Sequence, residues 1–352
     1  MNDKYTIAIV GATGAVGRTL IKLLEKSSLP IQELILLASS RSAGRKIDFL
    51  GNQLVVEETT DESFYGVDIA FFCAGGNVSK MYAHKAVESG AIVIDNSSYF
   101  RLEEDVPLII PEVNPNALNN HKGIIANPNC STIIMLMALK PLLNAANIKR
   151  VIFSTYQAVS GGGNQAISEL EGQIRSYIEG ENKEAKVLPV ASADKHYQIA
   201  FNLLPQVDVF DEGYYTKEEW KMIKESHKIL GTKEIGITGT CVRVPVFWCH
   251  AESLNIEFES KINREKAMEL LEDFPGVKVL DKPEEQLYPM PLDFYNDDNV
   301  YVGRIREDNS LPNSLNIWVV GNQLRKGAAT NALQIAELIV KKNLFVMDGI
   351  NN

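Results

Sequence analysis

Cysteine is scarce: 4 in 352 residues, at Cys73, Cys130, Cys241 and Cys249, with no CxxC pair among them. Secreted disulfide scaffolds are dense in cysteine, so this count argues against a disulfide framework and for a reducing, cytoplasmic setting. Metal ligands are equally few. The chain has 5 histidines, and Cys249 beside His250 lacks a third and fourth ligand at metal spacing, so no metal site is expected. No apolar run approaches the ~20 residues of a membrane span. Met1-Asn2-Asp3-Lys4 leads directly into a strand-like run, so no secretory signal is expected either. A basic excess is also missing. Lys+Arg total 35 against 45 Asp+Glu, a formal net charge of −10, the opposite of a nucleic-acid binder's basic stripe. Small anionic substrates stay compatible, because a few clustered Arg and Lys can form one basic pocket on an acidic protein.

What is present falls into two styles, and the length suits two domains. Strand-like Tyr5–Val10, Leu34–Ala38, Asp68–Ala74 and Ala91–Asp95 are interleaved with helical spacing over Ala15–Lys26 and Ser79–Ser89. Such alternation predicts a Rossmann-type, doubly wound parallel sheet. The style changes near residue 129. Ser131–Ala146 reads as one apolar helix, Arg150–Val159 as a strand and Gln165–Ile178 as an amphipathic helix. Thr238–Phe247, Glu252–Glu259, Val300–Ile305 and Leu315–Val320 follow with strand alternation, and Ala328–Lys341 with helical period. This half is expected to be an α+β domain with a mixed sheet covered by helices on one face. The division is therefore 1–128, joined by a C-terminal helix at about 326–345, and 129–325. Stretches 179–186 and 296–299 read as solvated loops.

Between the first strand and first helix stands Gly11-Ala12-Thr13-Gly14-Ala15-Val16-Gly17. Glycines there let a backbone approach a pyrophosphate, and the helix N-terminus offers unpaired N–H groups. GxxGxxG is weaker than the commoner GxGxxG, and a tight turn without a ligand is the bland alternative; position in the first βα unit favours dinucleotide binding. NAD sites carry an acid after the second strand to hold the ribose. Here Ala38-Ser39-Ser40-Arg41-Ser42-Ala43-Gly44 contains none. Arg41 can pair with a 2′-phosphate and Ser39 and Ser42 can donate to it, which points to NADP, the alternative for Arg41 being a solvated loop charge.

Asn127-Pro128-Asn129-Cys130-Ser131-Thr132 ends the apolar run Gly123–Ala126 and opens the long helix. Asn129 suits the N-cap, which places Cys130 in the first turn. The helix dipole and nearby N–H donors there increase the thiolate fraction of a cysteine. A thiolate adds to an aldehyde and can carry a thioester. The other cysteines sit in apolar strand-like runs and read as small buried hydrophobes. His250 is the candidate base. It is expected to end the strand that carries Arg243, seven positions before it, although position alone makes a strand histidine more often structural.

At Asn129-Cys130-Ser131-Thr132 the chain resembles the bacterial aspartate-semialdehyde dehydrogenases, along essentially its whole length. The same family pattern is carried by GATGAVG at Gly11–Gly17, SSRSAG at Ser39–Gly44, DNSSYFR at Asp95–Arg101 and PEVN at Pro111–Asn114. It continues through TYQAVSG at Thr155–Gly161, KHYQIAFNLLPQVD at Lys195–Asp208, EEWK at Glu218–Lys221, CVRVP at Cys241–Pro245 and KGAATNALQIAE at Lys326–Glu337. The resemblance implies reversible conversion of aspartyl 4-phosphate to aspartate 4-semialdehyde and inorganic phosphate with NADPH, in lysine, diaminopimelate, threonine, methionine and isoleucine biosynthesis. It implies Cys130 as nucleophile, His250 as general acid/base and Gln157 as the residue orienting substrate. Arg243 falls on the position gripping the α-carboxylate, Glu218 on that meeting the α-amino group, and Arg101 and Lys221 on the phosphate pair. Gly11, Thr13, Gly14, Ala15, Val16, Ser39, Arg41, Ser42, Ser160, Gly161 and Gln323 fall on cofactor positions. The resemblance also makes 129–325 the catalytic and dimerisation domain, and implies a homodimer, or a tetramer, formed mostly through it. Without the resemblance Glu218 and Lys221 would read as a surface ion pair, being three apart on one helical face. Thr330 where many relatives have Trp, Arg325 where an apolar residue is common, and a Gly161–Gly163 run depart from the pattern, none of them at the nucleophile or base.

Three rivals stand beside this reading. An N-acetyl-glutamyl-phosphate reductase would share thiol chemistry, but the EEWK segment and the Arg243 to His250 spacing favour the aspartyl enzyme. A glyceraldehyde-3-phosphate-type enzyme would carry an acid after the second strand. A non-catalytic paralogue would have lost Cys130, Gln157, Arg243 or His250, and all are present.

Overall fold

The computed structural model describes residues 4–181 and 184–345. It divides into two compact units, Met1–Asn129 with Ala328–Asn352, and Cys130–Gly327.

The first unit is a seven-stranded sheet built from β1 (Tyr5–Val10), β2 (Ile31–Ala38), β3 (Lys46–Phe49), β4 (Asn52–Glu58), β5 (Ile69–Phe72), β6 (Ile92–Asp95) and β7 (Ile124–Ala126), in the order β3-β4-β2-β1-β5-β6-β7. All pairings are parallel except β3 with β4. Alternate residues feed opposite layers. Ile7 and Ile9 of β1 pack with residues of α1 (Ala15–Leu24) and of the C-terminal helix, while Ala8 and Val10 pack with Ala83 and Ala86 of α2 (Gly76–Glu88). Strands buried on both faces read as continuous apolar runs, which is why the sequence showed them. The chain reverses its direction of travel across the sheet between β1 and β5, the place where doubly wound sheets bind ligands.

The hairpin β3–β4 was not expected. Its residues Lys46-Ile47-Asp48-Phe49 and Asn52–Glu58 are polar enough to pass for a loop, because this sheet edge is largely exposed. β2 also begins three residues earlier than Leu34, through the exposed Gln32 and Glu33.

The second unit holds α3 (Cys130–Ala145), β8 (Ile148–Gln157), α4 (Asn164–Glu179), α5 (Lys217–Leu230), β9 (Gly236–Arg243), β10 (His250–Phe258), α6 (Arg264–Glu272), β11 (Val277–Val279), β12 (Val300–Glu307) and β13 (Ser314–Gly321). One six-stranded mixed sheet runs β11-β12-β13-β10-β8-β9, with β8–β9 and β11–β12 parallel and the remaining pairs antiparallel. Helices α3, α5 and α6 cover one face. α3 is apolar around its circumference and buried from Ser131 to Leu139, as a helix wrapped on all sides must be. The opposite face presents Tyr156 on β8 and Trp318 on β13, their rings 5.4 Å apart.

One expectation fails here. Residues 238–247 are not one strand leading to His250. β9 ends at Arg243, Pro245 removes a ladder N–H, and Cys249 turns the chain with φ 63° before His250 opens β10. Arg243 and His250 therefore lie on different strands with β8 between them. The expected loop at 179–186 begins with the last residue of α4, and residues 182–183 lie outside the described ones. The last helix starts as a π-helical turn, Arg325–Ala329, and continues as α7 (Thr330–Lys342).

Candidate active site

In the first unit, Gly11 takes φ 86°, and a Cβ there would fall 2.7 Å from the carbonyl oxygen of Cys73. A Cβ at Gly17 would fall 2.4 Å from the oxygen of Gly11. Both positions demand glycine, and the turn they allow brings the start of α1 against the end of β1. Gly14 precedes the first turn of α1, and Thr13, Gly14, Ala15 and Val16 are all half-buried there. The first N–H groups of a helix have no partners within it, so this end suits a pyrophosphate. Ser39, Arg41 and Ser42 follow β2 in a short turn; Ser39 and Arg41 are exposed, and the hydroxyls of Thr13 and Ser42 stand 3.5 Å apart. No carboxylate lies between Ala38 and Gly44. Donors without an acid form a set that fits a phosphorylated ribose. Arg101, buried, donates Nε–H to the Asn127 carbonyl at 2.9 Å and Nη2–H to the Asn96 carbonyl at 2.8 Å. These carbonyl partners fix the direction of the guanidinium.

In the second unit, Cys130 is the first residue of α3 and is half-buried. Its surroundings depend on Gly327, where a Cβ would come 2.9 Å from the Cβ of Cys130. The other three thiols are pushed up by burial, so they stay protonated and inert.

Ala158, just past β8, joins two of the expected residues through its backbone. Its N–H donates to His250 Nδ1 at 3.0 Å, and its carbonyl accepts from Arg243 Nη1 at 2.8 Å. Two strands separated by β8 thus deliver their terminal side chains to one point. Gly161 marks the gap: a Cβ there would stand 3.0 Å from Arg243 Nη1 and 3.1 Å from His250 Nε2. Arg243 Nε and His250 Nε2 are buried without a hydrogen-bond partner. Burial, and then the neighbouring Arg243 charge, hold the His250 imidazole neutral, down to about 3. Arg243 in turn lies within electrostatic reach of Glu218 and Cys130.

A second line of contacts runs along the helix side. Gln157 Nε2 donates to Glu218 Oε1 and to Thr155 Oγ1, each at 3.3 Å. Lys221 Nζ donates to Glu218 Oε2 at 3.1 Å and to Asp208 Oδ2 at 2.8 Å. Glu218 is only 5% exposed, which removes the surface-pair reading of Glu218 and Lys221. The capping box between Thr216 and Glu219 fixes where α5 begins and therefore which face carries them. Gln323 Nε2 donates to Ser160 Oγ, which donates to the Phe247 carbonyl. Gln323 Oε1 is buried without a partner.

Residues 6–121 match the family described as semialdehyde dehydrogenase, NAD binding domain, and residues 139–326 match semialdehyde dehydrogenase, dimerisation domain. The aspartate-semialdehyde dehydrogenase of Aquifex aeolicus is 52% identical over 344 residues, covering 97% of this chain and 99% of that one. The chain belongs to the aspartate-semialdehyde dehydrogenases. Aspartate semialdehyde dehydrogenase II of Vibrio cholerae, solved in complex with ASA, superposes with a TM-score of 0.90 at 44% identity, covering 96% and 98% of the two chains. A more distant member, from Candida albicans and solved with NADP, superposes at 0.74 with 28% identity, covering 97% and 99%.

For an aspartate-semialdehyde dehydrogenase, the residues that sequence reasoning missed are those acting through backbone or from beneath. Ala158 contributes only its peptide groups, which no side-chain motif reveals. Asp208, at the end of the KHYQIAFNLLPQVD segment, pairs with Lys221. Glu252, two residues beyond His250 on β10, is 0% exposed and has no hydrogen-bond partner on either oxygen. A single glutamate in an alternating strand reads as solvent-facing, so the sequence offered no signal for it.

Proposed function

We propose that this chain reduces L-aspartyl 4-phosphate to L-aspartate 4-semialdehyde and inorganic phosphate, reversibly, through a thioester on Cys130, with NADPH preferred to NADH. The observation carrying this reading is the convergence on Ala158 of Arg243 and His250, each with a buried nitrogen left unpartnered. Buried donors without partners are costly, and a bound substrate relieves that cost.

Each role follows from chemistry. Arg243, with Nε free and its fork rigid, suits the planar α-carboxylate. Glu218 offers the negative charge for the α-ammonium, and Gln157, held against Glu218, orients the acyl group. Lys221 and Arg101 supply cations for the phosphate. Cys130 forms the bond to the acyl carbon and His250 faces the reacting group. When bound, the dinucleotide donates or accepts the hydride. Thr13, Gly14, Ala15 and Val16 would hold its pyrophosphate, Ser39, Arg41 and Ser42 its 2′-phosphate, and Ser160, Gly161 and Gln323 its carboxamide end. The orphaned Gln323 Oε1 fits an amide N–H.

The sheet face that carries the exposed Tyr156 beside the half-buried Trp318 is the surface we assign to a homodimer, since aromatic side chains at a surface of that kind mark interfaces. A reducing compartment suits the Cys130 thiol.

The test is phosphate-dependent reduction of NADP⁺ by aspartate 4-semialdehyde, run beside N-acetyl-glutamate 5-semialdehyde. Turnover confined to the aspartyl substrate, and lost in Cys130→Ala with NADP⁺ binding retained, is expected. Turnover undiminished in Cys130→Ala sinks the thioester, and preference for the acetylated substrate sinks the specificity.

A further inference from the structure

Three asparagines whose side chains take no part in the chemistry above lie behind Arg101, each from a different stretch of the chain. Asn96 follows β6, Asn127 follows β7 and Asn331 stands near the start of α7. Asn127 is 1% exposed and Asn331 0%. The direction of every amide in the group is settled, because the group starts and ends at peptide oxygens, which only accept. Asn331 Nδ2 donates to the Ile109 carbonyl at 2.9 Å, so its nitrogen end also faces Asn127 Oδ1, 2.7 Å away. That turns Asn127 Nδ2 toward Asn96 Oδ1 at 3.0 Å and the Ala328 carbonyl at 3.3 Å. Asn96 Nδ2 then donates to the Phe72 carbonyl at 3.1 Å. Flipping any one amide sets oxygen against oxygen or N–H against N–H, which is costly away from water.

The main-chain carbonyls of Asn96 and Asn127 are the two that hold Arg101, at Nη2 and Nε. A guanidinium is planar and rigid, so two fixed acceptors settle where the rest of its fork points. The spacing of those acceptors is the spacing of the ends of β6 and β7, and the contact between the Asn96 and Asn127 side chains spans it directly. Asn331 in turn ties Asn127 to α7. The plainer reading makes the group a fastening for strand ends. Backbone bonds already serve there, from Asn96 N–H to the Phe72 carbonyl at 2.9 Å and from Asn127 N–H to the Asp95 carbonyl at 2.8 Å. We propose that Asn331, Asn127 and Asn96 are positioning residues that aim the Arg101 guanidinium at the phosphate. None of their side chains touches the reacting atoms. This rests on the phosphate role given to Arg101 above and adds what makes that role precise. Arginine grips a phosphate with two parallel N–H groups arriving together, so a small rotation forfeits much of the contact. A lysine acts as a point charge and needs no such aim.

The test follows NADP⁺ reduction by aspartate 4-semialdehyde, with inorganic phosphate varied, in wild type, Asn331→Leu, Arg101→Lys and the double variant. Leucine keeps the shape of asparagine and removes its donors. Asn331→Leu should raise KM for phosphate about 10-fold or more, while KM for the semialdehyde and for NADP⁺ stays within about 2-fold. In the Arg101→Lys background the same change should add less than about 2-fold, since no fork is left to aim. Equal factors in the two backgrounds, or a rise shared by all three substrates, makes Asn331 a structural residue and overturns the proposal. If Asn331→Leu does not fold, Asn331→Ser replaces it: one short hydroxyl cannot serve both the Ile109 carbonyl and Asn127, and the same pattern is required. Arg101→Lys with an unaltered KM for phosphate removes the phosphate role of Arg101, and the proposal with it. Wild type that turns over without phosphate refutes the function itself.

Discussion

Replacing Glu252 by glutamine should stabilise this protein, and by an amount that grows with pH. Glu252 sits on β10 opposite Thr155 of β8 and Val319 of β13, fully enclosed, with neither oxygen hydrogen-bonded. Burial, and then the charge of Glu218, raise its pKa well above the ordinary 4.5. In the unfolded chain the carboxyl loses its proton near that ordinary value; in the folded chain it does not. Folding therefore takes up a proton above pH 4.5, and stability falls as pH rises from there toward the folded pKa. If the folded group is still protonated at pH 7, the accumulated cost is about 3 kcal/mol. Glutamine keeps the shape and never ionises, so it removes this cost.

Thermal melts of wild type and Glu252→Gln across pH 4.5 to 8 measure it directly. The two should coincide near pH 4.5, and the variant should lead by roughly 6–12 °C at pH 7, taking ~2–4 °C per kcal/mol for a unit of this size. A gap that does not change with pH, or a variant less stable than wild type at pH 7, would refute the claim that Glu252 is held neutral. The distinction is sharp because a simple packing change moves the melting point without moving its pH dependence.

Three further predictions concern the site. Arg243→Leu removes a buried guanidinium from the place where the substrate carboxylate would pair with it, and truncating one partner of a buried charge pair across a binding interface costs roughly 3 kcal/mol. KM for the semialdehyde should therefore rise roughly 100-fold or more, and unchanged steady-state constants would remove Arg243 from substrate binding. Gly161→Ala places a methyl 3.0–3.1 Å from Arg243 Nη1 and the His250 ring. It should lower kcat/KM about 10-fold or more while the melting point stays within a few degrees, and full activity would show that the gap is not used. Arg41→Ala should narrow the preference for NADP⁺ over NAD⁺ by about 10-fold, as loss of one charge-assisted contact implies, and an unaltered ratio of kcat/KM for the two would reject its contact with the 2′-phosphate.

How far the sequence carried depended on whether a signal was local. The parallel strands were legible because burial on both faces leaves unbroken apolar runs such as Ile69-Ala70-Phe71-Phe72. Cys130 was legible because a helix start is written in a few adjacent residues. Edge strands β3 and β4 were not, since exposure makes them compositionally like loops. The relation of Arg243 to His250 was misread for a different reason. Seven residues can be one strand or two strand ends, and the left-handed turn at Cys249 carries no glycine to announce it. The Ala158 contacts were invisible in principle, because peptide groups are the same at every position.

The same cluster explains why so many buried polar groups are tolerated together. The substrate brings a carboxylate and a phosphate against a single ammonium, so the pocket must present net positive charge. Arg243 supplies it at the carboxylate end. Lys221 is tied to both Glu218 and Asp208, which holds its position while Glu218 also accepts from Gln157. A charged Glu252 beneath this layer would add a further anion, and an ionised pair with Glu218 would repel the incoming substrate. A doubly protonated His250 would add a cation next to Arg243 and raise the cost of bringing Arg243 in. Keeping both groups neutral leaves Arg243 and Glu218 as a matched pair of handles for the two charged ends of the amino acid. The prediction that Glu252 is uncharged is then a statement about charge balance in the pocket. Measuring substrate affinity in Glu252→Gln tests it: it should be unchanged at pH 7, and a large change would mean that Glu252 carries charge the pocket uses.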